Sequence, residues 1–387
     1  MDVPLHGGEE YDQFIKPVMN TMQIISIWPL AADCGSYEYL LRICHQILMF
    51  FVTGTMSIVV TADVIHNWGN MDTATECSLI ASAFVLCFLR LMVYTYHQKD
   101  MRYVVETMRS DWADASYEEK QVLKEKCDFA FRLAKYFIAT VAITIAFFMT
   151  VPMLETYILH SEEKILPFRG YFFLNHTLSP NYEMIYIFEI IAGSFGGSMI
   201  AGVTSFNLVV IMHGAARFSL LQKKLESLNR NDPDVNKLMV KCIKLHQDAI
   251  KFADALEDII NVVALGQFVT STGLVCFAGF QLTSMLEDRG RLMKYSTFLN
   301  SAILELFIFS FSGNELIVES EAVGDAAYRS DWASSSFTQS LRILMMRATL
   351  PSRITAAKFY SMSLESFSAV LSTSFSYFTV LKAVSEE

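Results

Sequence analysis

Seven apolar stretches can be drawn along this chain, near residues 42–62, 74–95, 136–156, 184–212, 261–283, 296–316 and 362–383. The fifth, NVVALGQFVTSTGLVCFAGFQLT, runs for 23 residues without a charged side chain. Core helices of water-soluble domains rarely do this, whereas about 20 apolar residues cross a hydrocarbon layer. The chain therefore reads as an all-α, polytopic membrane protein with seven transmembrane helices. Its basic residues set the orientation. Segments 1–41, 96–134, 213–260 and 317–361 hold 21 Lys and Arg, while the alternate segments hold 5. Basic residues collect on the cytoplasmic side, so the expected arrangement is a cytoplasmic N-terminus and an extracellular C-terminus. That is the reverse of a G-protein-coupled receptor.

Composition points the same way. With 53% hydrophobic residues, 18% charged and a mean hydropathy of +0.34, the 387 residues suit membrane lipid better than two soluble domains. The formal net charge is −10 and no basic domain stands apart from the loops, so nucleic acid is not an expected partner. Seven Cys are scattered without a CxxC pair or zinc spacing. HExxH, GxSxG, Walker A and Rossmann fingerprints are missing, and neither an enzyme nor a metal or cofactor site is expected.

Residues 1–41 form a cytoplasmic N-terminal segment whose short amphipathic helix, within FIKPVMNTMQIISIWPL, is expected to stop at Pro29. Residues 42–316 carry spans one to six and long cytoplasmic helical extensions. Met101, Val104 and Met108 recur at helical spacing, the chain breaks near Asp114–Ser116, and Ser116 caps the next helix three residues before Glu119. Beyond span four, Phe218, Leu221, Leu225 and Leu228 share one face; NDPD at 231–234 then turns the chain into a long helix leading to span five. Such stripes need an apolar partner outside the bilayer, either a collar within the chain or another subunit. Residues 317–361 form a cytoplasmic anchor region with turns at Gly324, Ser334–Ser336 and Pro351, and residues 362–387 hold span seven and a short extracellular tail.

Several residues stand out as candidates. In span seven, Ser368, Ser372, Ser376 and Thr379 fall on one helix face. Such a face lines water if several subunits surround an axis, bonds to neighbouring helices, or satisfies its own backbone carbonyls. Phe84 and Phe88 in span two, Phe147 and Phe148 in span three, and Phe298 and Phe307 in span six are candidates for an apolar chamber; contact with lipid or another helix is the alternative. Gly193 and Gly197 form a GxxxG pair that either packs two helices closely or leaves volume for a ligand. Glu155, Glu189 and Glu305 are acids near or within spans, and Asn175-His176-Thr177 fits the N-glycosylation pattern in an external link. No internal repeat suggests a transporter.

The tail carries a family resemblance. AYRSDW at 327–332 and LMMRATLPSRITAAKFYSMSLESFSAVLSTSFSYFTVL at 344–381 resemble the C-terminal signature of insect odorant receptors, through Tyr328 and Trp332, Pro351 before the 355–360 run that ends in Phe359 and Tyr360, Phe367, and Ser-Tyr-Phe-Thr at 376–379. The gustatory receptor tail, built around a Thr-Tyr-x-x-x-x-x-Gln-Phe pattern, does not follow Thr373, and the co-receptor's longer insertion before span five is missing. The resemblance implies an odorant-specific subunit of a ligand-gated, non-selective cation channel of the insect odorant receptor fold. It further implies a four-subunit assembly with the shared odorant co-receptor in the plasma membrane of olfactory sensory neurons, gated by a small volatile odorant or pheromone. On that footing Phe84, Phe88, Phe147, Phe148, Glu189, Gly193, Phe298 and Phe307 would line the ligand chamber, between spans two, three, four and six. Ser372, Ser376 and Thr379 would line the pore, with Val380, Leu381 and Ala383 as its outer gate. Tyr328, Trp332, Pro351, Phe359 and Tyr360 would belong to the cytoplasmic anchor, and Asn175 would carry a glycan.

Overall fold

The computed structural model describes residues 7–31, 34–69, 71–157, 164–173, 178–284, 289–333 and 335–386. Asn175 and Glu387, and the side chains of Glu155 and Glu386, lie outside the described set. The chain is helical almost throughout: α1 (Gly7–Ile24), α2 (Ser36–His66), α3 (Met71–Tyr96), α4 (Gln98–Asp114), α5 (Tyr117–Tyr157), α6 (Asn181–Glu226), α7 (Val235–Ser284), α8 (Arg289–Arg329), α9 (Thr338–Ala348) and α10 (Leu364–Glu386). A two-stranded hairpin, β1 (Thr355–Ala356) and β2 (Tyr360–Ser361), separates the last two helices. Among the described residues, six helices are long and apolar enough to cross a membrane, those of α2, α3, α5, α6, α7 and α8. The helix α10 covers the seventh apolar stretch but is not one of these six, because hydroxyl residues dilute its apolar character.

Helices α5 to α8 continue well past their apolar portions, as the periodicity of the extensions requires. Ser116 and Glu119 start α5 with a reciprocal cap: the Ser116 N–H donates to Glu119 Oε2 at 2.8 Å, and the Glu119 N–H donates to Ser116 Oγ at 3.4 Å. The extensions pack with α1, α4 and α9 into a collar. Its interior contains Trp112, Phe218, Leu221, Leu225, Phe252 and Leu256, each at most 0% exposed. Phe14 of α1 stacks on Phe131 of α5 at 5.2 Å between ring centres. Ion pairs fasten its edge, including Lys126 to Glu319 at 2.5 Å, Arg329 to Glu226 at 2.6 Å and Lys224 to Glu119. The apolar stripes thus find their partners inside this chain.

Two boundaries differ from the sequence expectation. Helix α1 ends at Ile24, ahead of Pro29, and contains Pro17. Gly324 does not interrupt α8, which continues to Arg329; a Cβ at Gly324 would sit 3.5 Å from the Ala348 Cβ, so this glycine lies where α9 packs against α8.

The hairpin is a strap across α7 and α8. Glu257 of α7 accepts from the Thr355 N–H at 2.7 Å and from its hydroxyl, and the Ala357 N–H donates to the Asn261 carbonyl at 3.2 Å. On α8, a Cβ at Gly313 would meet the Met362 carbonyl oxygen at 2.4 Å, so only glycine permits this approach. The strap thereby fixes the start of α10.

Candidate functional site

A cavity of about 90 Å³ lies away from the collar, where α3, α5, α6 and α8 diverge. Its wall comprises Ile80, Ala83, Phe84, Leu86 and Cys87 of α3; Val141, Thr144, Ile145 and Phe148 of α5; Gly193, Gly196, Gly197 and Ile200 of α6; and Phe298, Ser301, Ala302 and Glu305 of α8. Leu274 of α7 and Phe168 of the α5–α6 link complete it. The rings interlock: Phe168 meets Phe84 edge-on at 5.3 Å and stacks on Phe148 at 5.5 Å, while Phe298 lies 5.9 Å from Phe148. A second, polar groove of about 470 Å³, with Glu118, Glu119, Lys223, Lys224 and Lys241 on its walls, lies at the collar. Its charges suit water rather than an apolar molecule.

Glycine creates the space on α6. A Cβ at Gly193 would come within 2.2 Å of Met149 Cε and 2.8 Å of Phe168 Cε2, and one at Gly197 within 1.5 Å of Ile145 Cδ1. Both glycines therefore serve close packing and the cavity together. Gly196 is different: its Cβ would project to 3.4 Å from Phe84 Cε1, an ordinary contact, and would occupy cavity volume.

Phe168 is held as a lid. Its N–H donates to Glu189 Oε2 at 3.0 Å, and Lys294 Nζ donates to the Pro167 carbonyl at 3.1 Å. The Tyr171 N–H reaches the Val59 carbonyl of α2 at 3.1 Å, and Arg169 lies 3.6 Å from Glu76 and 3.9 Å from Asp63. Glu189 is wholly buried and stands behind the lid instead of in the lining. At the opposite end Glu305 forms an ion pair with Arg90 at 2.7 Å and accepts from Thr204 at 2.8 Å; Arg90 also donates to Gln267 of α7.

Of the residues singled out in the sequence, Phe84, Phe148, Gly193 and Phe298 thus meet around one cavity. Phe88 turns to Phe50 of α2, its ring edge-on at 5.9 Å. Phe147, next to Phe148, is rotated about 100° around α5 and is absent from the lining. Phe307 stacks on Phe311 at 5.6 Å and meets Phe367 of α10 edge-on at 5.8 Å. Phe168, Thr144 and Ser301 were not singled out. A hydroxyl pair in two spans was the available signal for the last two; Phe168 had none, because the link's path is set by tertiary contacts.

On α10, Ser366, Val370 and Ser374 are buried at four-residue spacing, and Ser374 Oγ donates to the Thr272 carbonyl of α7 at 3.1 Å. Ser368, Ser372, Ser376, Thr379, Val380 and Ala383 are exposed; Leu381 is half-buried. Ser376 and Thr379 also bond to their own helix, donating to the Ser372 and Ser376 carbonyls at 2.9 and 2.8 Å. At the end of α8, Trp332 Nε1 donates to the Tyr328 carbonyl at 3.0 Å; closer to and within the strap, Pro351 is half-buried and Tyr360 lies 4.6 Å from Phe268. Phe359 is 92% exposed, and Tyr328, whose ring lies 6.2 Å from Trp332, is 64% exposed.

The fold has solved counterparts. The chain superposes on the insect olfactory receptor OR5 from Machilis hrabei, solved in complex with eugenol, with a TM-score of 0.85 at 16% identity, covering 97% of this chain and 99% of the other. Odorant receptor 13a of Drosophila melanogaster is 26% identical over 92% of each chain, and Odorant receptor 10 of Aedes albopictus is 24% identical over 92% of this chain and 94% of its own. The family model described as 7tm Odorant receptor matches residues 70–375. This multi-pass membrane protein, whose family is not one of enzymes, therefore belongs to the insect odorant receptors.

Proposed function

We propose that this chain is the odorant-binding subunit of a ligand-gated, non-selective cation channel, acting with the shared insect odorant co-receptor in a four-subunit assembly in the plasma membrane of olfactory sensory neurons. The observation that carries this reading is the pairing of a lidded, ring-lined cavity with a helix whose hydroxyl face is left uncovered by its own chain. In this reading the collar and both termini of the span order take the expected sides: collar and N-terminus cytoplasmic, C-terminus extracellular.

A volatile apolar ligand enters the cavity and is held by burial. At about 25 cal/mol per Å² of apolar area, micromolar affinity needs no charged contact. A dry cavity of about 150 Å³ takes benzene, so a larger guest here must turn aside rings such as Phe148 and Phe168. That displacement gives the ligand a differential preference for an altered packing, without which binding could not gate anything. Helices α7 and α8 each touch both the cavity and α10: α7 through Leu274 and the Thr272–Ser374 bond, α8 through Glu305 and the Phe307–Phe367 contact. They form the transmission path. Ser372, Ser376 and Thr379 wet the pore wall, and Val380, Leu381 and Ala383 form an apolar constriction at its outer end. A wide hydroxylated pore without a ring of carbonyls discriminates poorly among cations. Tyr328 and Phe359, both largely exposed, supply contacts to neighbouring subunits, with Trp332, Pro351 and Tyr360 shaping that surface. A glycan on Asn175 belongs to the external link.

The test is expression with and without an insect co-receptor. Together, the two chains should pass Na⁺ and K⁺ with similar ease when a volatile agonist is applied; alone, this chain should give little current. Robust agonist-gated current without a co-receptor would overturn the heteromeric assignment, and an external N-terminal tag would overturn the orientation.

A further inference from the structure

We infer that the cavity selects ligands bearing a neutral hydrogen-bond donor, an alcohol or phenol hydroxyl on an apolar body, and that Glu305 reads that hydroxyl. This deepens the chamber reading above and rests on it. Side chains able to bond a ligand are few in the lining: Cys87, Thr144, Ser301 and Glu305. The protons of the first three have acceptors on the protein. Cys87 Sγ donates to the Gly196 carbonyl at 3.5 Å, and Ser301 Oγ to the Thr297 carbonyl at 2.9 Å. Thr144 Oγ1 lies 3.0 Å from the Thr140 carbonyl and 2.9 Å from Ser301 Oγ. What the cavity has to spare is lone pairs.

Glu305 supplies the strongest of them. Both of its hydrogen bonds, from Arg90 Nη2 and Thr204 Oγ1, fall on Oε1, which leaves Oε2 without a bond among the described residues. A hydroxyl donating to a carboxylate oxygen forms a charge-assisted bond, roughly twice as strong as a neutral one. An ether, ester or ketone of the same shape meets no idle donor and loses its water without replacement. Arg90 does not supply that donor. Among the described residues its Nε and Nη1 have no partner, but they are buried, Arg90 is 0% exposed and is not part of the lining, and the guanidinium faces the Phe309 ring at 5.8 Å. The same Arg90 balances the carboxylate charge, so a ligand ammonium would bring a second, uncompensated cation into a buried site. The selection is therefore for a neutral donor.

A panel of alcohols with six to ten carbons, each paired with its methyl ether and the carbonyl compound of the same skeleton, decides the matter on the native sequence co-expressed with an insect co-receptor. Within active pairs the alcohol should have an EC50 lower by about tenfold or more, in line with sites that bond a substrate hydroxyl and reject analogues lacking it. Equal potency within pairs, activity confined to ethers or carbonyls, or silence of every alcohol would overturn the inference. Gly196→Leu separates this from failure of the chamber reading. If the chamber hosts the ligand, filling it should weaken every agonist; unchanged potencies throughout would sink the chamber reading itself. Glu305→Gln, with surface labelling as its control, introduces a donor and should shrink the alcohol preference to about threefold or less, while Thr144→Val should preserve the order. A preference that survives Glu305→Gln at the surface would remove Glu305 from the role.

Discussion

At the collar, Phe218, Leu221, Leu225, Phe252 and Leu256 leave no surface to solvent, and the apolar core extends without interruption through α1, α4 to α9. At the cavity end a smaller cluster, including Met56, Leu79, Phe84, Phe148, Phe168, Leu274 and Tyr295, closes around unfilled space and depends on a loop for its cover. Both ends draw on the same long helices, so the contrast lies in side-chain size and in glycine, not in architecture. At the collar, large side chains such as Phe218, Phe252 and Leu256 alternate with buried alanines such as Ala216, Ala253 and Ala327, which gives one dense packing that resists change. Three glycines on α6 and a ring borrowed from a link leave unfilled space at the other end. A receptor needs both: a fixed frame against which a small guest can do work, and a region soft enough to be altered by it.

The contrast breaks most readily at the collar. Phe218→Ala should cost about 3–5 kcal/mol of stability, the usual range for emptying a filled core position, and should remove most surface-labelled receptor while leaving agonist order among the survivors unchanged. Next in size is Gly313→Ala. Its methyl group meets a backbone oxygen that cannot rotate away, costing about 1–3 kcal/mol and displacing the strap, so current per labelled receptor should fall several-fold with little change in EC50. At the cavity end, Phe148→Leu should leave surface labelling near normal yet shift preference toward bulkier agonists by about three- to tenfold, within the range that one or two methylenes command. Smallest in its effect on agonists is Thr379→Val on the exposed face of α10; unitary conductance or cation permeability should change while agonist order stays fixed. Agonist reordering by Phe218→Ala, or an unchanged order with Phe148→Leu, would erase the division between frame and chamber.

Much of the frame was legible because it is periodic. Met101, Val104 and Met108, then Phe218 to Leu228, mark their inward faces by spacing alone, and Ser116 with Glu119 announce a helix start through the chemistry of orphan N–H groups. The apolar stretch at 362–383 located α10, whereas the strap was not legible: residues 355–361 read as part of a helical anchor region, and their pairing is set by contacts with α7 and α8. The cavity was only half legible. Knowing that α3 and α5 contribute phenylalanines does not fix helix rotation, which decides between Phe84 and Phe88, about 40° apart, and between Phe147 and Phe148, about 100° apart. Phe307 shows the same limit, having turned to α10. Phe168 lies in a link with no period at all. Its place follows from Glu189, Lys294 and Val59, which come from three separate helices.

The strap has a mechanical consequence. Helix α10 has 23 residues and is gripped at its root by Ile354, Glu257 and the Gly313 contact, with lateral hold on one side only. At 1.5 Å per residue it is a rod of about 34 Å, so a pivot of about 5° at the root sweeps the tip through about 3 Å. In the proposed channel Val380 and Ala383 would lie about 24–29 Å along that rod, so the same pivot would move them by about 2 Å; displacements at the strap too small to disturb the collar would be magnified there, and the length of the final helix would set the gain.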